Sequence, residues 1–331
     1  MPRAGGEWFY HQVMLTDMKT LLFDDVVAAL RERGSAYGVV DPTEYHSWKE
    51  RLAEEFGVPV VSKSSLCEFD ANPYRYRYNV QHGVRKECAG FLLGSLVDCI
   101  ALTPKLFDVQ YAVEELDLRT KAGRARRDEL EALGKVPVKQ EDYDLACELA
   151  LRVVDHLGSM GWVVLGTFCP CNCRTQVGLF VYLSEIDGVP LATPLIVTGM
   201  VDICPDRGDA LLDLKTTRND PSDSTALFYA MEDFHYGVGA ALYLDLFNVC
   251  SGEERCRFGH LFVGTQLPAM SRAVWLGAGE LEVYRLEYKG MLRRFAAASA
   301  ADDWGDEELP DVVFLPSRRE AARFTKLLQE G

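Results

Sequence analysis

Two aspartates and a lysine near position 200 are the residues of this chain best suited to chemistry. Asp213 and Lys215 lie in the apolar run 211–217, and because side chains alternate along a strand they share one face of it. The segment 205–209, Pro-Asp-Arg-Gly-Asp, is typical of a tight turn, since proline fixes φ and glycine permits a positive φ. Such a turn places Asp202 beside the second strand, so two carboxylates and an ammonium are predicted to converge.

These groups are typical of a divalent-metal site that cleaves phosphate esters. Carboxylate oxygens suit Mg²⁺ or Mn²⁺, and such a cation can polarise a phosphate and help to generate hydroxide. Lys215 can orient or deprotonate the attacking water and stabilise developing charge. The alternative is a solvated surface ion pair, but the aspartates lie among Val201, Ile203 and Leu212. Because charge in an apolar strand is costly unless it is paired or metal-bound, the catalytic interpretation is favoured.

The elements around this hairpin must position it. Apolar residues at helical spacing predict helices, and β-branched and aromatic runs predict strands. The predicted helices cover 87–102, 121–133, 141–157, 225–248 and 279–300, and the predicted strands cover 162–168, 178–183, 195–204, 210–217, 257–265 and 273–276. This order predicts an α/β (α+β) fold with a mixed central β-sheet flanked by helices. The predicted units are a helical N-terminal extension at 1–60, the main domain at 61–316 and a tail at 317–331.

The composition is that of a globular protein. The 331 residues are 48% hydrophobic and 26% charged, with a net charge of −15, which excludes a disordered or fibrous chain. No long apolar run and no signal-peptide pattern are found, which predicts a cytoplasmic protein without membrane contact. The net negative charge disfavours diffuse attraction to nucleic acid, although it is compatible with a local basic groove.

At the hairpin the sequence resembles the PD-(D/E)XK nuclease superfamily, and more widely it is similar to the phage-type exonuclease VIII (RecE-like) group. The resemblance covers about residues 60–316, and its motifs follow one another in the family's order. Besides the hairpin they are Ser62-Lys63-Ser64-Ser65-Leu66, Asn72-Pro73-Tyr74, Leu93-Gly94-Ser95-Leu96-Val97-Asp98, Leu118-Arg119-Thr120-Lys121-Ala122-Gly123-Arg124, Gly134-Lys135, Ala240-Ala241-Leu242-Tyr243, Trp304 and Leu315-Pro316. The fold that this resemblance implies is a restriction-endonuclease-like core.

The resemblance also implies roles for individual residues. Asp202 and Asp213 would bind the metal, the main-chain carbonyl of Leu214 would be a further ligand, and Lys215 would be the catalytic lysine. Asp98 stands where the family often has a histidine ligand, and an aspartate there can preserve metal binding because it also offers oxygen.

Two family features differ in this chain. The Gln-x-x-x-Tyr helix appears as Gly239-x-x-x-Tyr243, so the tyrosine is present and the glutamine is missing. The family's upstream glutamate has no clear counterpart, and Glu185 fits that place poorly.

Two short stretches are candidates for DNA contact. Segment 73–78 alternates tyrosine with Arg75 and Arg77, a mix that can stack on bases and contact phosphates but that also suits ordinary packing. Arg119, Lys121 and Arg124 form a second basic stretch, to which the resemblance gives a phosphate-binding role, and Tyr243 completes the predicted DNA contacts.

The cysteines and histidines give weaker predictions of function. Cys169, Cys171 and Cys173 lie close together, but their spacing differs from the usual pairs of zinc and iron–sulfur sites. We therefore favour unliganded thiols, with a zinc or iron–sulfur site as the alternative. The six histidines show no metal-ligand spacing, so core or surface roles are expected for them.

The resulting function prediction is a Mg²⁺- or Mn²⁺-dependent exodeoxyribonuclease. By the resemblance it would be a phage or prophage 5′→3′ enzyme of recombination, working in a bacterial host on double-stranded DNA with a free end, beside a single-strand annealing protein and as a homo-oligomer. The alternatives are a Cas4-like or structure-specific nuclease of the same fold, and a catalytically degenerate DNA-binding or assembly module.

Overall fold

The computed structural model describes residues 20–84, 89–164 and 171–306. Its helices are α1 Phe23–Arg33, α2 Pro42–Tyr45, α3 Trp48–Phe56, α4 Lys63–Ala71, α5 Pro73–His82, α6 Ala89–Leu102, α7 Phe107–Gln110, α8 Lys121–Ala132, α9 Gln140–Ser159, α10 Ser224–Asp233, α11 Tyr236–Ser251 and α12 Ala278–Ala301. Its strands are β1 Ser35–Val39, β2 Val60–Ser62, β3 Tyr111–Val113, β4 Val136–Val138, β5 Cys173–Ile186, β6 Val189–Pro205, β7 Ala210–Thr217, β8 Arg257–Gly264 and β9 Ser271–Trp275.

Seven of these strands form one mixed sheet. Its order is β1-β5-β6-β7-β8-β9, and β2 adds to β6 as a short parallel partner. The pair β7–β8 is also parallel, whereas the other neighbours along the path are antiparallel. Because α10 and α11 connect β7 to β8, this crossover places a helix layer on one face of the sheet. The structure confirms the predicted mixed α/β architecture.

Helices cover both faces of the sheet. One core joins buried residues of β5, β6 and β7 to α4, α11 and α12, with Leu211, Leu244 and Phe295 among its members. A second core packs β7 and β8 against α6 and α9, and it includes Leu214 and Leu149. Burial on both faces explains why β7 is almost wholly apolar apart from the functional candidates.

Alternation along β7 sets the direction of the candidate residues. Leu212 and Leu214 are buried in the core that contains α6 and α9, and Leu211 is buried in the core that contains α11. Because neighbouring side chains point to opposite faces, Asp213 and Lys215 point toward the layer of α11.

The N-terminal region contributes strands as well as helices. β1 pairs along its length with β5, and a third core packs α1 and α3 on Phe180 and Ile196. The proposed boundary at residue 60 falls at the start of β2, and the domain division stays a prediction. In the part of the chain that the structure describes, no helix is long and apolar enough to cross a membrane.

Most predicted elements are present with small shifts at their ends. The exception is the strand predicted at 162–168, because residues 162–164 are irregular and 165–168 lie outside the described residues. Segment 73–78, for which packing in a strand or a helix was the alternative to DNA contact, lies in helix α5. Ser62 precedes α4, and its side chain makes no capping hydrogen bond. The tail at 317–331 lies outside the described residues.

Candidate active site

A cavity of about 400 Å³ opens where the centre of the sheet meets α4, α6 and α11. Carboxylates, lysines and aromatic side chains line it together. The lining residues are Tyr45, His46, Lys49, Ser62, Lys63, Ser64, Asp98, Met200, Asp202, Asp213, Lys215, Tyr236, Gly239, Tyr243 and His260. The structure therefore brings Asp98, Asp202, Asp213 and Lys215 to one cavity.

Asp202 is fixed to the neighbouring strand through its side chain. Strands β6 and β7 pair at Ile203 and Leu212, and beyond this pair the Oδ2 atom of Asp202 accepts a hydrogen bond of 2.8 Å from the main-chain N–H of Leu214. Its Oδ1 atom lies 3.4 Å from the amide nitrogen of Gln176, a buried residue in the left-handed region with φ 52°. A buried carboxylate thus takes the place of a strand-to-strand hydrogen bond.

Asp213 and Lys215 form a close ion pair on the adjacent strand. The Lys215 Nζ atom is 2.6 Å from Asp213 Oδ2, and it also donates to the main-chain carbonyl of Leu214 at 3.0 Å. Both oxygens are atoms that the resemblance assigns to cation binding. They therefore already converge on one positive charge.

Negative charge outweighs positive charge around this pair. Burial, reinforced by nearby Asp213, raises the pKa of Asp202 well above its usual value, although Lys215 opposes the rise. Burial would also raise the pKa of Asp213, but Lys215 and His260 outweigh it and hold that pKa below the usual value. Burial lowers and the two aspartates raise the pKa of Lys215, with a net increase. Lys215 therefore keeps Asp213 ionised, whereas ionisation of Asp202 stays costly.

Asp98 adds a third carboxyl group from helix α6. Burial raises its pKa to about 7, against the opposing pull of Lys215. Helix α6 comes close to β7 at Gly94, where an added Cβ atom would lie 3.1 Å from the Thr216 hydroxyl oxygen. A small residue at this point therefore lets the helix carry Asp98 to the cavity.

These oxygens fit a hard divalent cation that completes its shell from solvent and substrate. Within residues 20–84, 89–164 and 171–306, no three His, Cys, Asp or Glu side chains form a ready metal cage. Mg²⁺ does not require one, because it is usually held by one or two carboxylates together with waters and substrate phosphates. The uncompensated charge of Asp202 and Asp98 near Asp213 is what such a cation would neutralise.

Lysines and hydroxyl groups also line the cavity. Lys63 begins helix α4, and its ammonium group bonds to the carbonyl of Phe234 and lies 5.5 Å from the centre of the Tyr236 ring. Lys49 donates to the Ser62 hydroxyl at 2.6 Å, and this hydroxyl lies 3.1 Å from that of Ser65. The cavity therefore holds Lys49 and Lys63 as well as the carboxylates.

Helix α11 supplies the aromatic lining. Tyr243 lies against β6 at a place where a Cβ atom on Gly199 would come within 2.7 Å of its ring. Gly239, which stands where the family has glutamine, faces the side chain of Lys63, whose Cγ atom would be 3.4 Å from an added Cβ. The stem of this lysine thus occupies the space beside the position of the missing glutamine. Gly237 allows close packing of α11 on Tyr284.

The other predicted DNA contacts lie away from the cavity lining. Arg75 is exposed on helix α5, and Arg77 is within reach of Asp302 and the Trp304 ring. At the start of α8, Arg119 makes two hydrogen bonds to Asp117.

The remaining two residues of the basic stretch differ from each other. Arg124 bonds to the carbonyls of Leu118 and Arg119, whereas Lys121 is exposed. Their DNA-binding roles, and those of Arg75, Arg77 and Arg119, stay predictions.

Cys171, Cys173 and Cys204 do not line the cavity. Cys173 and Cys204 are buried on adjacent strands, and burial raises their pKa values to about 12 and about 11. The Cys171 thiol lies 3.3 Å from the carbonyl of Val164. Cys169 lies outside the described residues, so the prediction of unliganded thiols stays a prediction.

His260 is a site residue that the sequence analysis missed. The parallel register of β7 and β8 pairs Asp213 directly with His260, and the imidazole Nδ1 lies 3.3 Å from Asp213 Oδ2. Burial lowers the pKa of this histidine. The spacing of the histidines in the sequence carried no signal for it. The contact is made between two strands, ending at Thr217 and beginning at Arg257, that are joined by a crossover of 39 residues.

Comparison with known proteins supports the fold. No family model matches the chain, and no curated protein matches it. A solved structure of a protein provisionally named an exonuclease, from Eubacterium rectale, superimposes with a TM-score of 0.51 at 16% identity, covering 86% of this chain and 98% of the other. The protein SSO0001 superimposes with a TM-score of 0.25 at 17% identity, over 62% of this chain and 86% of its own. The first likeness shows that the two chains share a fold.

Proposed function

We propose that this protein is a divalent-cation-dependent deoxyribonuclease with a PD-(D/E)XK site that hydrolyses phosphodiester bonds. The observation that carries the proposal is the convergence of Asp202, Asp213 and Lys215 on the Leu214 peptide in one cavity. The shared fold with the Eubacterium rectale protein, which is provisionally named an exonuclease, is consistent with it.

The residues divide the work of hydrolysis between them. Asp202 and Asp213, with the Leu214 carbonyl, would hold Mg²⁺ or Mn²⁺, which supplies neutralisation of phosphate charge and acidification of water. Lys215 stays an ammonium because Asp213 and Asp202 raise its pKa. It therefore suits orienting the attacking water and stabilising negative charge rather than acting as a base. Water adds to phosphorus, the bond to one ester oxygen breaks, and that oxygen leaves with a proton.

The lysines and aromatic rings of the cavity favour a nucleic acid as the ester. Lys49 and Lys63 line the cavity beside Tyr236, and Phe234, which is 59% exposed, stacks on that tyrosine with ring centres 5.5 Å apart. Cations that meet phosphates and aromatic rings that stack on bases are the usual combination in proteins that bind single strands.

The finer proposal is an exonuclease that needs a DNA end. It rests on the resemblance to the exonuclease VIII group, with 5′→3′ degradation of linear duplex in phage recombination. A homo-oligomer and a single-strand annealing partner belong to the same proposal.

Cleavage of end-labelled linear duplex and of covalently closed circles tests the proposal. With Mg²⁺ we expect the linear DNA to yield mononucleotides and long single strands while the circles persist, and EDTA should stop the reaction. Cutting in EDTA would overturn the metal-dependent mechanism. Rapid cutting of closed circles would favour an endonuclease, such as a Cas4-like or structure-specific enzyme of the same fold.

A catalytically degenerate DNA-binding module is the second candidate. The observation that favours it is Gly239, where the family's glutamine is missing and Lys63 fills the neighbouring space. Retained DNA binding without cleavage of linear, circular or branched DNA, in either Mg²⁺ or Mn²⁺, would decide for this candidate.

A further inference from the structure

A buried histidine faces the cavity from the strand next to Asp213. His260 is 2% exposed, and its neighbour across the parallel pair β7–β8 is Asp213 itself. This register places the two side chains on the same face of the sheet. The contact is therefore built into the sheet and does not depend on a loop conformation.

Aromatic rings surround the imidazole on its other sides. Tyr236 stacks on it with ring centres 5.1 Å apart and an angle of 30° between the planes. Phe258 and Phe262, on the same strand, lie with their ring centres 5.5 Å and 6.4 Å from it. An apolar cage favours another apolar ring, so a polar ring is costly here unless it makes a polar contact.

Two polar contacts are within reach of the ring, the carboxylate of Asp213 and the main chain of Tyr236. The Nδ1–Oδ2 distance of 3.3 Å is at the long end for a hydrogen bond, and neither ring nitrogen makes a hydrogen bond of good geometry. A small rotation of either group would align them. Lys215 holds the same Oδ2 atom at 2.6 Å, so two donors would restrain that oxygen and leave Oδ1 to turn toward the cavity.

We propose that His260 is a positioning residue, which donates a hydrogen bond to Asp213 Oδ2 and holds the other carboxylate oxygen in the orientation that binds the divalent cation. This inference rests on the proposed function, because it assigns a cation to Asp213. Partners of metal-binding carboxylates act in this way, and their loss typically weakens metal affinity about 10–100-fold.

Two substitutions separate hydrogen bonding from packing. His260→Phe keeps an aromatic ring in the cage and removes the donor. His260→Asn removes the ring but places an amide N–H close to the position of Nδ1. His156→Phe is the matched control, because His156 also bonds through Nδ1 to an oxygen, that of Ser271 at 2.9 Å, but does not line the cavity.

The test is Mn²⁺ binding without DNA, measured from the loss of the free-ion signal in electron paramagnetic resonance. We expect His260→Phe to raise the dissociation constant about tenfold. His260→Asn should remain within about threefold of the wild type, and His156→Phe should not differ from it. His260→Phe should cleave DNA more slowly than the wild type at low Mn²⁺, and its rate should come closer to the wild-type rate at saturating Mn²⁺.

Several outcomes would overturn the inference. Wild-type affinity in His260→Phe would do so, as would an equal loss in His260→Phe and His260→Asn, which would indicate a packing role. A wild-type protein that binds no Mn²⁺ would overturn the proposed function and this inference together. Melting curves check that each variant folds, and His260→Leu serves as the apolar variant if His260→Phe does not.

Discussion

Helix α11 connects two carboxylate clusters that differ in how their charge is balanced. Near its middle, Asp245 receives two hydrogen bonds from Arg285, at 2.9 and 3.0 Å, and one of 2.7 Å from the Tyr288 hydroxyl. It borders a small apolar cavity of about 170 Å³. At the other cluster, Asp202 and Asp213 share one close cation, Lys215, and a third carboxyl group stands nearby.

The Asp245 carboxylate stabilises the fold, whereas the carboxylates of Asp202 and Asp213 lower its stability. Asp245 bonds to Arg285, which also bonds to the exposed Glu282, and to the Tyr288 hydroxyl, which is the arrangement expected of a structural ion pair. The buried pair of Asp202 and Asp213 would carry an excess of negative charge in an apolar sheet when both are ionised, and carboxylates placed in this way are found mainly at functional sites. The first two predictions below change both clusters, the third changes the cavity cluster alone, and the last changes an exposed lysine outside both.

The largest expected effect concerns the two cations. Lys215→Ala should lower the DNA cleavage rate by about 10²–10³-fold, because it removes the group that stabilises negative charge at the reacting phosphate. Arg285→Ala, the matched change at the structural cluster, should leave the rate per folded molecule within about twofold and lower stability instead. Single-turnover rates and melting temperatures measure both. Equal rate losses in the two variants would remove the distinction between the clusters.

The second prediction concerns stability in EDTA. Asp202→Asn should raise the melting temperature at pH 7 by about 2–4 °C, since it removes a buried charge while the amide oxygen can still accept from Leu214. Because the folded-state pKa of Asp202 is raised, its ionisation weakens the fold as pH rises above the unfolded-state value, and the gain should vanish near pH 4. Asp245→Asn should lower the melting temperature at pH 7. A loss in both variants would show that Asp202 is also structural.

The third prediction concerns the supporting carboxylate on α6. Asp98→Ala should raise the Mg²⁺ concentration for half-maximal cleavage by about 3–10-fold. Asp98→His should stay near the wild type, because the resemblance places a histidine ligand at this position. Mg²⁺ titrations at saturating DNA measure the effect. If the curve of Asp98→Ala overlays that of the wild type, Asp98 is not a ligand.

The smallest effect is expected at an exposed charge. Lys121→Ala should weaken DNA binding by about 3–10-fold and reduce the slope of log affinity against log salt by about one, with little change in the rate of bound DNA. Lys139→Ala, at a lysine whose near neighbour is Glu141, should change neither. An unchanged salt slope in Lys121→Ala would remove this residue from the DNA path.

The local parts of this site could be predicted from the sequence. Alternation along residues 211–217 and the turn at 205–209 placed Asp213, Lys215 and Asp202 together, because a hairpin joins neighbours in sequence. The fold class followed from the order of the periodic segments.

The contacts that cross the sheet could not be predicted. His260 and Lys63 reach the cavity only because β7 pairs in parallel with β8 and because α4 packs under α11. Gln176 contacts Asp202 because its backbone adopts a positive φ angle, which no sequence pattern predicts. Spacing in the sequence can predict the pairing of strands that follow each other in a hairpin. The positions of these three residues depend instead on strand register, backbone conformation and the packing of helices on the sheet.

We infer that Asp202 and Asp213 are placed together to hold a divalent cation. Calorimetric titration of Mn²⁺ into the metal-free wild type, Asp213→Asn and Asp245→Asn measures this binding. We expect binding in the wild type and in Asp245→Asn, and loss of that binding in Asp213→Asn with the fold retained. No binding in the wild type, or equal binding in Asp213→Asn, would contradict it.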